Sequence, residues 1–170
     1  MEGKGGMRQM ALPKQYLQRL DSLRIHYEVV GSAAASPTPT GTKVMVVSNE
    51  CLAVQGQPVL VLQAARYQVD RHKLATIYGV DADSIQPATP TQLTAVGATS
   101  GHVSALTLPE DTHVPVVLSR QLVGRAALAF DLGAADQLVV ISSADLLRFL
   151  RNLGVAPRIT SVEGVAVQED

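Results

Sequence analysis

The chain has 170 residues, 46% hydrophobic, 17% charged and 4% aromatic, with 14 Lys and Arg against 15 Asp and Glu. That size and balance describe one ordinary globular domain able to bury a core without staples, and the single cysteine, Cys51, excludes an intrachain disulfide or a multi-cysteine zinc site. A net charge of −1 excludes a protein that coats duplex nucleic acid, a base-stacking platform is poorly supplied at 4% aromatic residues with no Trp, and no apolar run approaches the roughly 20 residues that span a bilayer.

Residues 1–11 read as a flexible, Gly-rich leader. From residue 12 the apolar positions Tyr16, Leu17, Leu20 and Leu23 recur at three- and four-residue steps, which predicts a helix with Pro13 in its first turn. Residues 25–30 predict a strand, and 31–41, small and rich in Pro, Ser and Thr, a loop. Residues 43–47 and 58–62 predict two adjacent strands, with 52–54 extending one of them and Gly56 near a turn. Asp70 is the expected N-cap of a short helix through Tyr78, closed by Gly79. Another short helix opens after Thr89, carries Pro90, Leu93 and Val96, and ends at Gly97.

Strands follow at 114–118, 126–130 and 138–141. Ser143 is the expected cap of an amphipathic helix with Leu146, Leu147, Leu150 and Leu153 inward, Arg148 and Arg151 facing water, and Gly154 at its end. Residues 159–170 read as a last strand and a frayed tail. Strands outnumber helices, and the helices are scattered between them. The expected fold is therefore α+β, a single domain in which a mixed β-sheet or partly closed barrel is flanked by helices. Its limits are residues 12–160, between the leader at 1–11 and a tail at 161–170.

Nucleotide, metal and triad signatures are missing: there is no Walker loop, no GxGxxG, no HExxH and no GxSxG elbow. His26, His72, His102 and His113 are dispersed, and Cys51 sits in a strand-like apolar run suited to a buried, inert thiol. No cofactor and no metal are expected. A single thiol and the lack of a signal segment lead to the expectation of a cytoplasmic protein. What remains is an ordered set of pieces. Thr42-Lys43-Val44-Met45-Val46-Val47 places a lysine at the head of an apolar strand, and residues 59–70 run from a strand into the helix capped by Asp70. Gly101-His102-Val103-Ser104-Ala105 comes after a Thr-Ala-Val-Gly turn, and the strand at 113–118 comes next.

Together with Ile25-His26-Tyr27, Gly133 and the closing helix, this order resembles the YbaK/ProX family of aminoacyl-tRNA deacylases and synthetase-associated editing domains. The resemblance runs from about residue 12 to residue 158. It implies hydrolysis of the ester joining a wrong amino acid to tRNA, a reaction that needs only a positioned water and donors aimed at the developing oxyanion. Carried over residue by residue, it implies catalytic roles for Lys43, Gly101 and Ser104, with Lys43 holding the acceptor end and loop amides at 101–105 orienting the carbonyl. It implies substrate-binding roles for Tyr27, His102, Val103, Ala105 and Gly133. The implied partner is the aminoacyl-tRNA acceptor end, held weakly, with help from a synthetase or a fused output domain, and neither membrane nor DNA.

Three positions depart from the family pattern. Ala105 replaces the proline that stiffens the loop, Ser119 replaces an acid ending its strand, and the acidic position near the last strand falls on Leu138. These departures support the alternative of a catalytically degenerate binding or regulatory domain within a larger signalling protein.

Overall fold

The pairing around Gly56 organises the sheet. In the computed structural model, which describes residues 13–31, 43–98, 103–134 and 136–166, β2 (Met45–Val54) and β3 (Gln57–Ala64) form an antiparallel hairpin in unbroken register from Val47↔Ala64 to Val54↔Gln57. Its two turn residues, Gln55 and Gly56, both have positive φ, 51° and 84°, the geometry whose twist matches that of the flanking strands. Around this hairpin lie β1 (Glu28–Gly31), β4 (Tyr67–Val69), β5 (Ile85–Pro87), β6 (Val116–Ser119), β7 (Leu128–Phe130), β8 (Gln137–Ile141), β9 (Arg158–Thr160) and β10 (Glu163–Ala166). The sheet runs in the order β1-β8-β7-β2-β3-β6-β9, with β5 also on β2, while β4 and β10 pair separately. The β2/β7, β3/β6 and β6/β9 contacts are parallel and the others antiparallel. The sheet is therefore mixed, as expected.

Among the described residues four α-helices cover it: α1 (Lys14–Ser22), α2 (Arg71–Tyr78), α3 (Pro90–Ala95) and α4 (Ser143–Asn152). Leu20 of α1 and Leu146, Phe149 and Leu150 of α4 pack with Val47, Leu60, Leu62, Leu118, Leu128, Phe130 and Ile141 in the main core. On the other face, Leu74 and Ala75 of α2 cover Leu52, Val54, Val59, Val61 and Val117. A third cluster, Ala127, Ala129, Leu138 and Val140, gathers with Val30, Val44 and Val46. Each fully buried aliphatic side chain contributes about 1.5–3 kcal/mol, so the alternation of β2 and β3 between two faces commits the hairpin to this position.

Local signals place most helix ends as predicted. The Asp70 carboxylate accepts the His72 and Lys73 N–H groups at 2.9 and 3.2 Å, and Gly79 closes α2 at φ 66°. Thr89 and Gln92 form a reciprocal capping box with Pro90 at the first turn of α3. Pro13 is the N-cap of α1 rather than part of its first turn, and Leu12 lies outside the described residues.

At α4 the structure corrects the sequence reading. Ser142, not Ser143, is the N-cap, its hydroxyl accepting the Asp145 N–H at 3.1 Å. Phe149 is fully buried on the inward face. Arg148, expected only to face water, donates to the Leu23 and Arg24 carbonyls at 2.6 and 3.1 Å and ties α4 to the end of α1. Residues 161–166, grouped with the tail in the sequence reading, contain the fully buried Val162 and the strand β10 that pairs with β4. A short apolar run at an end carries no periodicity, and only the partner strand makes it a strand.

The end of α3 packs closely against the backbone at Thr107. Gly97 permits this approach: its φ is 87°, and a β-carbon there would collide with the Thr107 carbonyl oxygen, whereas Gly56 faces open space. Gly97→Ala should lower unfolding stability in denaturant melts by about 2–4 kcal/mol, combining left-handed strain with a backbone clash. Gly56→Ala should cost only about 1 kcal/mol, from conformation alone.

Candidate functional site

Lys43 stands just before β2 at the rim of the sheet and is exposed. The Met45 N–H donates to the Ala127 carbonyl at 3.0 Å, and Met45 and Val46 pair with Leu128 and Ala129. The end of β3 closes on the other side, where the Ala65 N–H donates to the Val46 carbonyl at 2.9 Å. Three chain segments thus meet at the head of β2. They border an open cavity of about 790 Å³ lined by Lys43 through Val46, Ala64 through Arg66 and Gly124 through Ala127.

Small and apolar side chains form most of the lining, and Lys43, Arg66 and Arg125 bring positive charge to it. The Arg66 guanidinium lies over the Tyr67 ring, 5.4 Å from its centre, and Arg125 Nε donates to the Gln121 carbonyl at 2.9 Å. The segment carrying Arg125 is fixed by Ser143, whose hydroxyl accepts the Gly124 N–H at 2.9 Å and whose own N–H donates to the Arg125 carbonyl at 3.0 Å. Ser143, displaced from its expected capping role, thereby ties the cavity wall to α4.

Gly101 and His102 lie outside the described residues. Val103 is half-buried, and Ser104 and Ala105 are buried. Ser104 caps a 3-10 turn, Ala105–Thr107, its hydroxyl accepting the Leu106 N–H at 3.2 Å and its carbonyl the Thr107 N–H at 3.1 Å. The Ala105 N–H donates to Asn49 Oδ1 at 2.9 Å. Asn49 follows Lys43 by six residues, roughly 20 Å along an extended chain at about 3.3 Å per residue. Among the described residues, Val103, Ser104 and Ala105 do not line the Lys43 cavity.

Tyr27 and Gly133 do not line it either. Tyr27 is half-buried against the main core. Gly133, at φ 93°, donates its N–H to Asp131 Oδ1 at 2.8 Å between β7 and β8. Of the residues expected at the site, the structure places Lys43 at the cavity and adds Arg66 and Arg125, which sequence reasoning missed. Both arginines sit on exposed loops, where a lone charge in the sequence has the same appearance as ordinary solvated surface.

The departures from the family pattern also acquire positions. Leu138 is buried in the third apolar cluster. Ser119 is buried at the end of β6, where its hydroxyl donates to the buried Glu163 carboxylate. Ser161 donates to the other oxygen of that carboxylate at 3.2 Å, and Lys73 Nζ to the Glu163 carbonyl at 2.7 Å. An acid therefore does meet the end of β6, delivered by β10 rather than by the strand itself. Among the described residues no three His, Cys, Asp or Glu gather as a metal site, and no helix is long and apolar enough to cross a membrane.

Cys51 is buried, and burial pushes its thiol above the ordinary value of 9.0. A thiol raised in this way adds stability that is complete below its unfolded pKa and is lost as pH rises through the folded one. Native protein at pH 8 should therefore resist a thiol reagent that modifies the guanidinium-unfolded chain at once, and unfolding stability should decline above about pH 9. Asn49→Ala leaves the Ala105 N–H without its acceptor and should cost about 1–2 kcal/mol, with faster amide exchange at Ala105.

Comparison with known proteins gives the same outline. No curated protein matches the sequence significantly. A proposed trans-editing enzyme for prolyl tRNA synthetase superposes with a TM-score of 0.64 at 19% identity, over 89% of this chain and 96% of that one. A proposed signal transduction protein from Marinobacter aquaeolei VT8 superposes with a TM-score of 0.66 at 16% identity, over 91% of this chain but only 31% of its own. A scaffold from computational epitope grafting gives a TM-score of 0.67 at 16% identity, over 89% and 96%. At these identities the likeness establishes the fold. Residues 26–149 match the aminoacyl-tRNA editing domain, and the chain belongs to that family.

Proposed function

We propose that this protein is an aminoacyl-tRNA deacylase that hydrolyses the ester of mischarged tRNA in trans. One observation supports the reading above the others: Lys43 stands on a cavity of about 790 Å³ in a chain whose residues 26–149 match the editing domain. A carboxylic ester is already activated, so its hydrolysis requires placement of the carbonyl and a water, and a cation or N–H aimed at the oxygen that gains charge. The Lys43 ammonium is the proposed cation. Water attacks the ester carbon, and the tetrahedral oxyanion collapses to release the free amino acid and the ribose hydroxyl of the tRNA end.

In this scheme Gly101 and His102 are the loop positions proposed to face the aminoacyl group, while Val103 and Ser104, which do not line the Lys43 cavity, are proposed to hold that loop on the core. The Ala105 N–H is taken by Asn49, so the proposed role of Ala105 is to anchor that loop on β2. Tyr27 and Gly133 are proposed to support the pocket from behind, through the core and the β7/β8 turn. Weak binding through the acceptor end suits a chain of net charge −1, and a synthetase or fused domain is the proposed source of further tRNA affinity. A non-catalytic binding domain is the second reading, favoured by the internal hydrogen bonds that occupy the amides of residues 105–107.

Purified protein should release an amino acid from at least one member of a panel of mischarged tRNAs, and Lys43→Ala should reduce kcat/KM by about 10²–10³-fold, as for loss of an oxyanion donor. Lys43 is exposed, so the variant should keep the wild-type melting temperature. A panel left intact at high protein concentration sinks the deacylase, and retention of acceptor-end binding in that case supports the second reading.

A further inference from the structure

Lys43, Arg66 and Arg125 line one cavity, yet among the described residues no carboxylate lies within ion-pair distance of any of them. The chain has 14 basic side chains against 15 acidic ones, so this concentration is local rather than a property of the surface at large. Like charges around a partly enclosed space repel one another, and an anion relieves that repulsion.

Each arginine is oriented in a way that leaves donors available. Arg66 Cζ lies 5.4 Å from the centre of the Tyr67 ring, and among the described residues its guanidinium N–H groups have no hydrogen-bond or ion-pair partner. Arg125 uses Nε on the Gln121 carbonyl, and among the described residues its terminal Nη groups are left without a partner. Their backbones are pinned as well, Arg66 through its neighbour Ala65 on Val46 and Arg125 through Ser143.

The deacylase reading narrows the anion. An aminoacyl ester carries no negative charge, and its α-ammonium is positive, so three cations do not recognise the amino acid. The anionic part of an acceptor end is its phosphodiester backbone, and the apolar surface from Ala64, Val46 and Ala127 suits a sugar or base edge beside it. Resting on that reading, we propose that Arg66 and Arg125 clamp the RNA backbone phosphate adjoining the terminal adenosine, which leaves the Lys43 ammonium for the ester. The two arginines are positioning residues. They set where the ester lies and favour an RNA end over an unphosphorylated nucleoside.

Titration of the full chain with adenosine, AMP, inorganic phosphate and the trinucleotide CpCpA tests this without requiring turnover. Wild type should bind CpCpA at least tenfold more tightly than adenosine, with log K falling against log salt by about 0.7 per phosphate engaged. The double variant Arg66→Gln, Arg125→Gln should lose that preference and most of the salt dependence, while keeping its affinity for adenosine and its melting temperature. Equal affinity of wild type for CpCpA and adenosine overturns the clamp, as does a double variant that keeps the preference. AMP or inorganic phosphate binding more tightly than CpCpA overturns the assignment to an RNA end in favour of a free nucleotide or phosphate. A wild type that clamps CpCpA but releases no amino acid from any charged tRNA refutes the deacylase reading alone.

Discussion

Everything in this fold is referred to the edges of β2. One edge is occupied along its length by β3, while the other is divided, with β7 at Met45 and Val46 and β5 at Leu52 through Val54. Backbone N–H and C=O groups buried in such a sheet must be paired, so the division forces other chain to approach the stretch between. There the Cys51 carbonyl accepts the Ala88 N–H at 3.2 Å, and the Asn49 side chain accepts the Ala105 N–H. The same strand that begins beside Lys43 thus anchors the 103–105 loop farther along. Any shift of the β2/β3 register by one residue would exchange the faces of Leu60 and Val61 and expose both cores.

That constraint also explains how a chain with no net basic excess acquires a positively charged cavity. Arg66 is carried by the turn that ends β3, Arg125 by the segment entering β7, and Lys43 by the approach to β2, three places far apart in sequence that the two ladders make adjacent. Lys43, Arg66 and Arg125 are all exposed, so solvent screens most of their mutual repulsion and grouping them costs little stability while leaving the cavity attractive to an anion. The overall balance of charge bears on non-specific attraction to nucleic acid, whereas recognition at one phosphate depends on two or three donors in place.

Legibility differed between backbone and site for physical reasons. Asp70, Thr89, Pro90, Gly79 and Gly97 announce helix ends because capping and positive φ depend on a residue and its near neighbours. The apolar runs of β2, β3, β6, β7 and β8 were readable for the same reason. At Ser142 and Ser143 local information was ambiguous, since either hydroxyl can cap. The choice is set by Gly124, which takes the second serine for itself. Lys43 was legible as a candidate only through its place in a family order. Arg66 and Arg125 at the cavity, and Asn49 under the 105 loop, were not, because the residues they meet lie far away in sequence.

Length, one cysteine and the spacing of short apolar runs were enough to indicate a single α+β domain without an intrachain disulfide, and among the described residues no helix is long and apolar enough to cross a membrane. Those properties depend on composition and on periodicities of a few residues. Tertiary structure alone decided where the charge lies, that Glu163 from β10 supplies a carboxylate to Ser119, and that two arginines from separate loops share a cavity with Lys43. Such groupings arise from strand pairing between distant segments, and pairing is settled by burial of whole faces rather than by any residue's immediate surroundings.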